Sequence, residues 1–123
     1  MRAVTTATAA VILGMERKSF DNLLARLDDE ELPRGRQGLE RRIPVALLPR
    51  LLLSAELSER FAIPIRIAFH LSGALARGIQ PGAPFVRLDV DFELLRGEID
   101  QQLERAVETV VRRPRGRPPG SPR

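Results

Sequence analysis

Arginine is the residue type in this chain with the clearest chemical use, because its guanidinium pairs with phosphate oxygens and with the edge of guanine. One cluster lies within residues 34–42, around Gly35 and Gly38, and consists of Arg34, Arg36, Arg41 and Arg42. Residues 112–123 form a second cluster, with five arginines and no acidic side chain. Both clusters predict contact with a polyanion.

The net charge of +4 is unevenly distributed over the 123 residues. Residues 1–60 carry ten basic and nine acidic side chains, whereas residues 61–111 carry five basic and seven acidic ones. Residues 112–123 therefore hold more than the whole net charge, and the part of the chain able to form a core is nearly neutral. A chain of this length supports one modest hydrophobic core.

Residues that could support catalysis or metal binding are scarce. The chain contains no cysteine, and His70 is its only histidine, which lies in an apolar stretch typical of a packed or surface histidine. Asp89 and Asp91 share one face of a predicted strand, where solvent exposure is the simpler interpretation. No phosphate loop, nucleophile–base pair or metal-ligand cluster is apparent. We therefore expect no enzyme activity, no cofactor, no metal and no small-molecule substrate.

Neither a signal peptide nor a membrane span is evident in the sequence. The apolar run over residues 7–14 is short and is followed by Glu16, and no stretch approaches the roughly 20 apolar residues that cross a bilayer. We therefore expect a cytoplasmic protein without membrane contact, associated with the nucleoid if it binds DNA.

Two short helices are predicted near the N-terminus. Thr5 or Thr6 can cap a helix over residues 7–13, and Gly14 supplies a turn. A second helix is predicted over residues 17–27, with apolar side chains at helical spacing: Phe20, Leu23, Leu24 and Leu27. Its outer face carries the polar side chains Arg17, Lys18, Ser19, Asp21, Asn22 and Arg26.

An arginine-rich hairpin and further helices are predicted to follow. Residues 32–43 contain two glycines between β-compatible flanks, which favours a hairpin. Pro49 is tolerated only in a first helical turn, so the next helix is expected to begin near Val45 or Ala46 and to end near residue 59. The apolar residues 63–76 alternate as a strand would but also form a helical stripe, and their length favours a helix.

The C-terminal part predicts a strand followed by a helix. Residues 85–92 alternate apolar and charged side chains, which is typical of a strand. A helix over residues 93–112 carries one apolar stripe, formed by Leu95, Ile99, Leu103, Ala106 and Val110. Because a lone strand has unpaired edges, we expect a second copy to supply its partner and the strand–helix element to form a homodimer. Packing on helices of the same chain is the alternative.

Two helices joined by a turn, followed by a basic hairpin, indicate a DNA-reading arrangement. In a helix-turn-helix the second helix enters the major groove, where arginine pairs with guanine and asparagine with adenine. Arg17, Lys18 and Asn22 are placed for base edges, and Ser19 for a phosphate. The hairpin arginines Arg34, Arg36, Arg41 and Arg42 can lie along phosphates or in the adjacent minor groove.

Residues 5–53 resemble the winged helix-turn-helix of the MerR and phage-excisionase type. The most specific points of resemblance are Ala10, Leu13 and Gly14 at the first turn, and the wing sequence GRQGLERRIP. The resemblance implies sequence-related DNA binding in transcription or recombination. It also implies a reading helix with Arg17, Lys18 and Asn22 and a wing with Arg36, Arg41 and Arg42.

The tail sequence over residues 114–118, Pro-Arg-Gly-Arg-Pro, resembles the AT-hook. In that motif glycine lets the backbone approach the floor of the minor groove, and flanking arginines enter the narrow A·T groove. The resemblance assigns minor-groove contacts to Arg113, Arg115, Gly116 and Arg117. A nonspecific basic tail without fixed structure is the alternative.

These observations predict a mainly α protein with a small β wing. Residues 1–60 would form a winged helix-turn-helix domain, residues 61–111 a helical and strand-helix oligomerisation region, and residues 112–123 a disordered tail. The predicted function is that of a small DNA-binding protein, either a transcriptional regulator or an architectural accessory, acting on double-stranded DNA as a homodimer. The alternative is a protein-interaction adaptor that uses the same helical shape for packing.

Overall fold

A computed structural model describes residues 2–27, 32 and 41–112 of the chain, with side chains to residue 106. The described part is mainly helical, with a small two-stranded antiparallel sheet. In chain order its elements are β1 (Ala3–Thr5), α1 (Thr6–Ile12), α2 (Arg17–Leu27), β2 (Arg42–Pro44), a 3-10 turn (Val45–Leu47), α3 (Leu48–Phe61), α4 (Ile65–Ala76) and α5 (Phe92–Arg112).

The two predicted N-terminal helices are confirmed. The Thr5 hydroxyl accepts a hydrogen bond from the backbone N–H of Thr8 at 3.2 Å and so caps α1. Gly14 has φ +68°, a left-handed conformation that favours glycine, and it turns the chain into α2. The four apolar side chains predicted to face inward on α2 are all buried. These local signals therefore determine the α1–α2 pair.

A short sheet connects the N-terminus to the segment that follows α2. β1 pairs antiparallel with β2, with Val4 opposite Ile43 and Thr5 opposite Arg42. The side chain of Ile43 is fully buried, which fixes the sheet on the core. The turn of the hairpin predicted over residues 32–43 lies outside the described residues. The end of that hairpin that the structure describes, β2, pairs with β1. We did not predict this pairing from the sequence.

The next two helices agree with the sequence prediction. A 3-10 turn at Val45–Leu47 precedes α3, and Pro49 lies in the first turn of that helix, where its missing N–H breaks no helical hydrogen bond. Residues 65–76 form α4, so the helical interpretation of this apolar stretch is confirmed. Together, α3 and α4 form the helix pair that supports the C-terminal segment.

Polar side chains hold α3 against α4. Arg50 of α3 stacks over the ring of Phe69 of α4, 3.8 Å from its centroid, and donates two hydrogen bonds to the Phe69 carbonyl at 3.0 and 3.2 Å. The fully buried hydroxyls of Ser54 and Ser72 approach to 3.0 Å. Gly73 permits this packing, since a Cβ there would lie 2.6 Å from the Arg50 guanidinium.

The strand predicted over residues 85–92 is wrong. Residues 86–91 have no regular secondary structure, and α5 begins at Phe92. The apolar residues of the alternating pattern nevertheless face the protein, because Leu88 and Val90 pack against a cluster formed by α3 and α4. The Gln80 side-chain amide donates to the Leu88 carbonyl and accepts from its N–H, both at 2.9 Å. A side chain thus satisfies backbone groups that a neighbouring strand would otherwise pair.

The helix predicted over residues 93–112 is confirmed as α5, and the Asp91 carboxylate caps it by accepting from the N–H of Leu94 at 3.0 Å. Ile99, Leu103 and Ala106 are buried in the same core as α1 and α2. The apolar stripe on which we based a homodimer therefore packs within one chain, as in the alternative interpretation. The homodimer itself stays a prediction. Val110 lies beyond the described side chains.

The described part contains no helix that combines the length and apolar character needed to cross a lipid bilayer.

Candidate nucleic-acid interface

The outer face of α2 brings together the four reading residues predicted from the sequence. Each of their side chains is exposed, and they lie on the surface opposite the buried Phe20 and Leu24. Because a helix has 3.6 residues per turn, Lys18 and Asn22 lie one turn apart at the middle of the face, and Arg17 and Ser19 flank them.

An ion pair along the helix restrains Arg17. Its Nε lies 3.4 Å from Oδ2 of Asp21, and both side chains are about half exposed, at 55% and 50%. Exposed pairs of this kind contribute little to stability, so a phosphate could replace Asp21 as the partner of Arg17. Until then Arg17 lies along the surface of α2, and Lys18 and Asn22 are the side chains most directly available to a ligand.

A small groove of about 230 Å³ runs between α2 and α3, and its lining is partly apolar, from Met15, Leu23 and Ile65. It is lined on the α2 side by Ser19, Asn22 and Arg26, and on the α3 side by Ala55, Ser58 and Glu59. The sequence places Arg26 on the outer face of α2, but its proximity to Glu59 depends on the packing of the two helices. Glu59 adds an acidic side chain beside the predicted reading face.

The described part of the predicted wing places one exposed arginine next to α1. Arg42 is exposed in β2, opposite Thr5, the residue that caps α1. Arg41 is half-buried. The other predicted wing and tail residues lie outside the described residues: Arg34, Arg36, Arg113, Arg115, Gly116 and Arg117. The described structure therefore brings the base-reading residues together and anchors one end of the wing.

The charge of the α2 face is nearly balanced. Arg17, Lys18 and Arg26 are exposed cations, and Glu16 and Asp21 are exposed anions on the same helix or just before it. With Glu59 across the groove, the positive and negative charges are equal in number. A DNA complex of this face would therefore rely on hydrogen bonds to bases and on arginines elsewhere in the chain, since phosphate attraction alone scales with the net positive charge.

Among the residues that the structure describes, no group of three or more His, Cys, Asp or Glu side chains is placed to hold a metal ion.

No protein-family model, no curated protein and no solved structure matches this chain.

Proposed function

We propose that the chain is a small DNA-binding protein in which α1 and α2 form a helix-turn-helix. The observation that carries the proposal is the outer face of α2. It presents exposed Arg17, Lys18, Ser19 and Asn22, and its opposite side is fixed in the core. A rigid helix with an exposed polar face is the element that enters a major groove.

The proposed roles follow from the chemistry of each side chain. Asn22 would make a bidentate pair with adenine, and Lys18 would contact a phosphate or guanine. Arg17 would exchange Asp21 for a phosphate, and Ser19 would donate to the backbone. The wing arginines Arg34, Arg36, Arg41 and Arg42 would follow the flanking phosphates, and the tail would enter an A·T minor groove through Arg113, Arg115, Gly116 and Arg117.

The biological role that we propose is that of a transcriptional regulator or an architectural accessory in recombination. It requires no cofactor and no catalysis. Its support is the resemblance of residues 5–53 to the MerR and excisionase type, together with the α1–turn–α2–β2 order of the described elements. Binding as a homodimer would place two reading heads on one duplex and raise the affinity through effective concentration.

Two steps test the proposed reading face. The full chain first selects bound duplexes from a random-sequence library, and fluorescence anisotropy then measures the affinity of each variant for the selected site. Asn22→Ala should weaken binding about tenfold or more and relax preference at one base pair. Lys18→Ala should weaken binding on all duplexes and lower the salt slope by about one. Gln101→Ala, on the exposed side of α5, is the control and should bind as the parent does. Parent-like binding by both α2 variants would refute the assignment.

Deletion of residues 113–123 tests the tail separately. The truncated chain should lose affinity, and any preference for A·T-rich over G·C-rich duplexes should disappear with it. Equal losses on both duplexes would assign the tail a nonspecific electrostatic role.

An adaptor function is the second candidate, and the nearly balanced charge of the α2 face favours it. An adaptor would keep its protein partner after the tail deletion, whereas a tail-dependent DNA-binding protein would lose affinity for DNA.

A further inference from the structure

A wide apolar groove lies between the C-terminal end of α1, α3, residues 89–91 and α5. Its volume is about 670 Å³. Leucine and isoleucine side chains provide most of its floor, among them Ile12, Leu13, Leu53, Leu57 and Ile99. Grooves of this kind receive the apolar face of an amphipathic helix, through side chains spaced three and four residues apart.

Two large apolar side chains that line the groove are exposed to solvent. Phe61 is 68% exposed and Leu94 is 65% exposed, although both line the same groove as Leu57 and Ile99, which are buried. The exposed lining of the groove is mainly apolar. The groove therefore offers apolar area that the chain's own core leaves uncovered.

The rim of the groove is acidic. Among the residues that the structure describes, four carboxylates line it, from Glu56, Asp89, Asp91 and Glu98, against one cation, Arg60. Arg60 donates a hydrogen bond from Nε to Glu56 at 2.8 Å, so its charge is already matched. An apolar floor bounded by negative charge selects a ligand that combines apolar and basic side chains.

This rim excludes the other candidate occupants on electrostatic or chemical grounds. A second copy docked groove to groove would bring like charges together, and DNA would meet carboxylates instead of cations. Residues 113–123 are basic but contain no apolar side chain other than proline, so they cannot fill the floor. We infer that the groove binds a basic amphipathic helical segment of a partner protein.

The groove and the α2 face lie on opposite sides of α3. Ala55, Ser58 and Glu59 line the groove beside α2, whereas Leu53, Glu56 and Arg60 line the apolar one. On a helix of 3.6 residues per turn these two sets point in roughly opposite directions. The partner segment can therefore bind while α2 is occupied, and its binding does not depend on the proposed DNA function.

The test uses fluorescein-labelled synthetic peptides with the full chain and no DNA. The probe is an 18-residue peptide with leucines on one helical face and lysines on the other. One control peptide replaces lysine with glutamate, and a second has the same composition in scrambled order. The matched protein variants are Phe61→Ser in the groove and Phe85→Ser in the loop outside it. Phe85 is 94% exposed, so neither substitution removes a buried side chain.

The lysine peptide should bind at least about tenfold more tightly than either control peptide. Phe61→Ser should weaken its binding about tenfold, and Phe85→Ser should leave it unchanged. The double variant Asp89→Asn/Glu98→Gln should weaken it about threefold and reduce its salt dependence.

Equal binding of the lysine and glutamate peptides, or equal effects of the two phenylalanine variants, would overturn the inference. So would a dimer in light scattering that Phe61→Ser converts to a monomer, because the groove would then belong to a second copy.

Discussion

The two surfaces on either side of α3 differ in the chemistry they offer. The α2 face is polar, carries charges of both signs and has no large exposed apolar side chain. The apolar groove has the opposite character, with Phe61 and Leu94 exposed above a floor of aliphatic side chains and four carboxylates at the rim. Hydrogen bonding to base edges suits the first surface, and burial of an apolar helix face suits the second.

The two proposals together assign two kinds of recognition to one small core. The α2 face comes from a single helix, so its residues are fixed relative to one another by helical geometry alone. Four separate segments form the groove: the C-terminal end of α1, α3, residues 89–91 and α5. Changes in helix packing should therefore alter the groove more readily than the α2 face.

The largest expected effect comes from removing the side chain that fixes α2. Phe20 is fully buried, and Phe20→Ala should destabilise the fold by about 3–5 kcal/mol, through lost apolar burial and a cavity. A domain of this size is stable by only about 5–15 kcal/mol, so the urea midpoint should fall sharply. Because Phe20 and Ile99 belong to one core cluster, both surfaces should be lost in a single transition.

Phe85→Ala is the matched control, because it removes the same side chain from an almost fully exposed position. Its urea midpoint should stay close to that of the parent. If Phe20→Ala still bound the peptide at urea concentrations that abolish its DNA binding, the two surfaces would unfold independently. That result would contradict a single transition.

The parts of the fold that the sequence predicts correctly depend on local signals. Thr5, Gly14 and the spacing of apolar residues specify the start of α1, the turn and the buried face of α2 without reference to other elements. Pro49 and the length of the apolar stretch over residues 63–76 similarly identify α3 and α4. The same helical spacing predicts an exposed position for Arg17, Lys18, Ser19 and Asn22, the residues proposed to contact DNA, and all four are exposed.

The features that the sequence does not predict depend on distant contacts. The alternation of apolar and charged residues over 85–92 predicts which side chains face the core. It does not reveal that the Gln80 side chain hydrogen-bonds to the backbone of Leu88. The pairing of β1 with β2 joins residues about forty positions apart, and three-residue strands carry little local signal. The groove likewise depends on where α5 packs, so spacing alone could not identify Phe61 and Leu94 as neighbours.

A pair of glycine substitutions should produce intermediate effects of opposite sign. Gly14→Ala places a side chain at φ +68° in the α1–α2 turn and should destabilise the fold by about 1 kcal/mol. Gly97→Ala, inside α5, adds a methyl group with no atom within 4 Å and should stabilise the fold by about 0.5–1 kcal/mol. Urea denaturation measures both. If Gly14→Ala stabilised the fold, the left-handed conformation assigned to the α1–α2 turn would be wrong.

The smallest expected effect concerns Arg60, which is the one cation lining the apolar groove in the described part of the chain. A hydrogen bond to the Glu56 carboxylate and the charge of that carboxylate raise the pKa of Arg60 above its ordinary value. Arg60→Gln removes this charge and leaves the Glu56 carboxylate uncompensated, which makes the rim more negative. The lysine peptide should then bind about two- to threefold more tightly, with a steeper salt dependence.

The same Arg60→Gln substitution should leave the urea midpoint unchanged within error, because an exposed ion pair adds little to stability. DNA binding should also stay at the parent level, since Arg60 lies on the side of α3 away from α2. Weaker peptide binding would mean that Arg60 itself contacts the partner segment, and the acidic rim would no longer account for the selection of a basic ligand. Measuring peptide affinity, DNA affinity and stability on this one variant therefore separates the contribution of rim charge from that of the apolar floor.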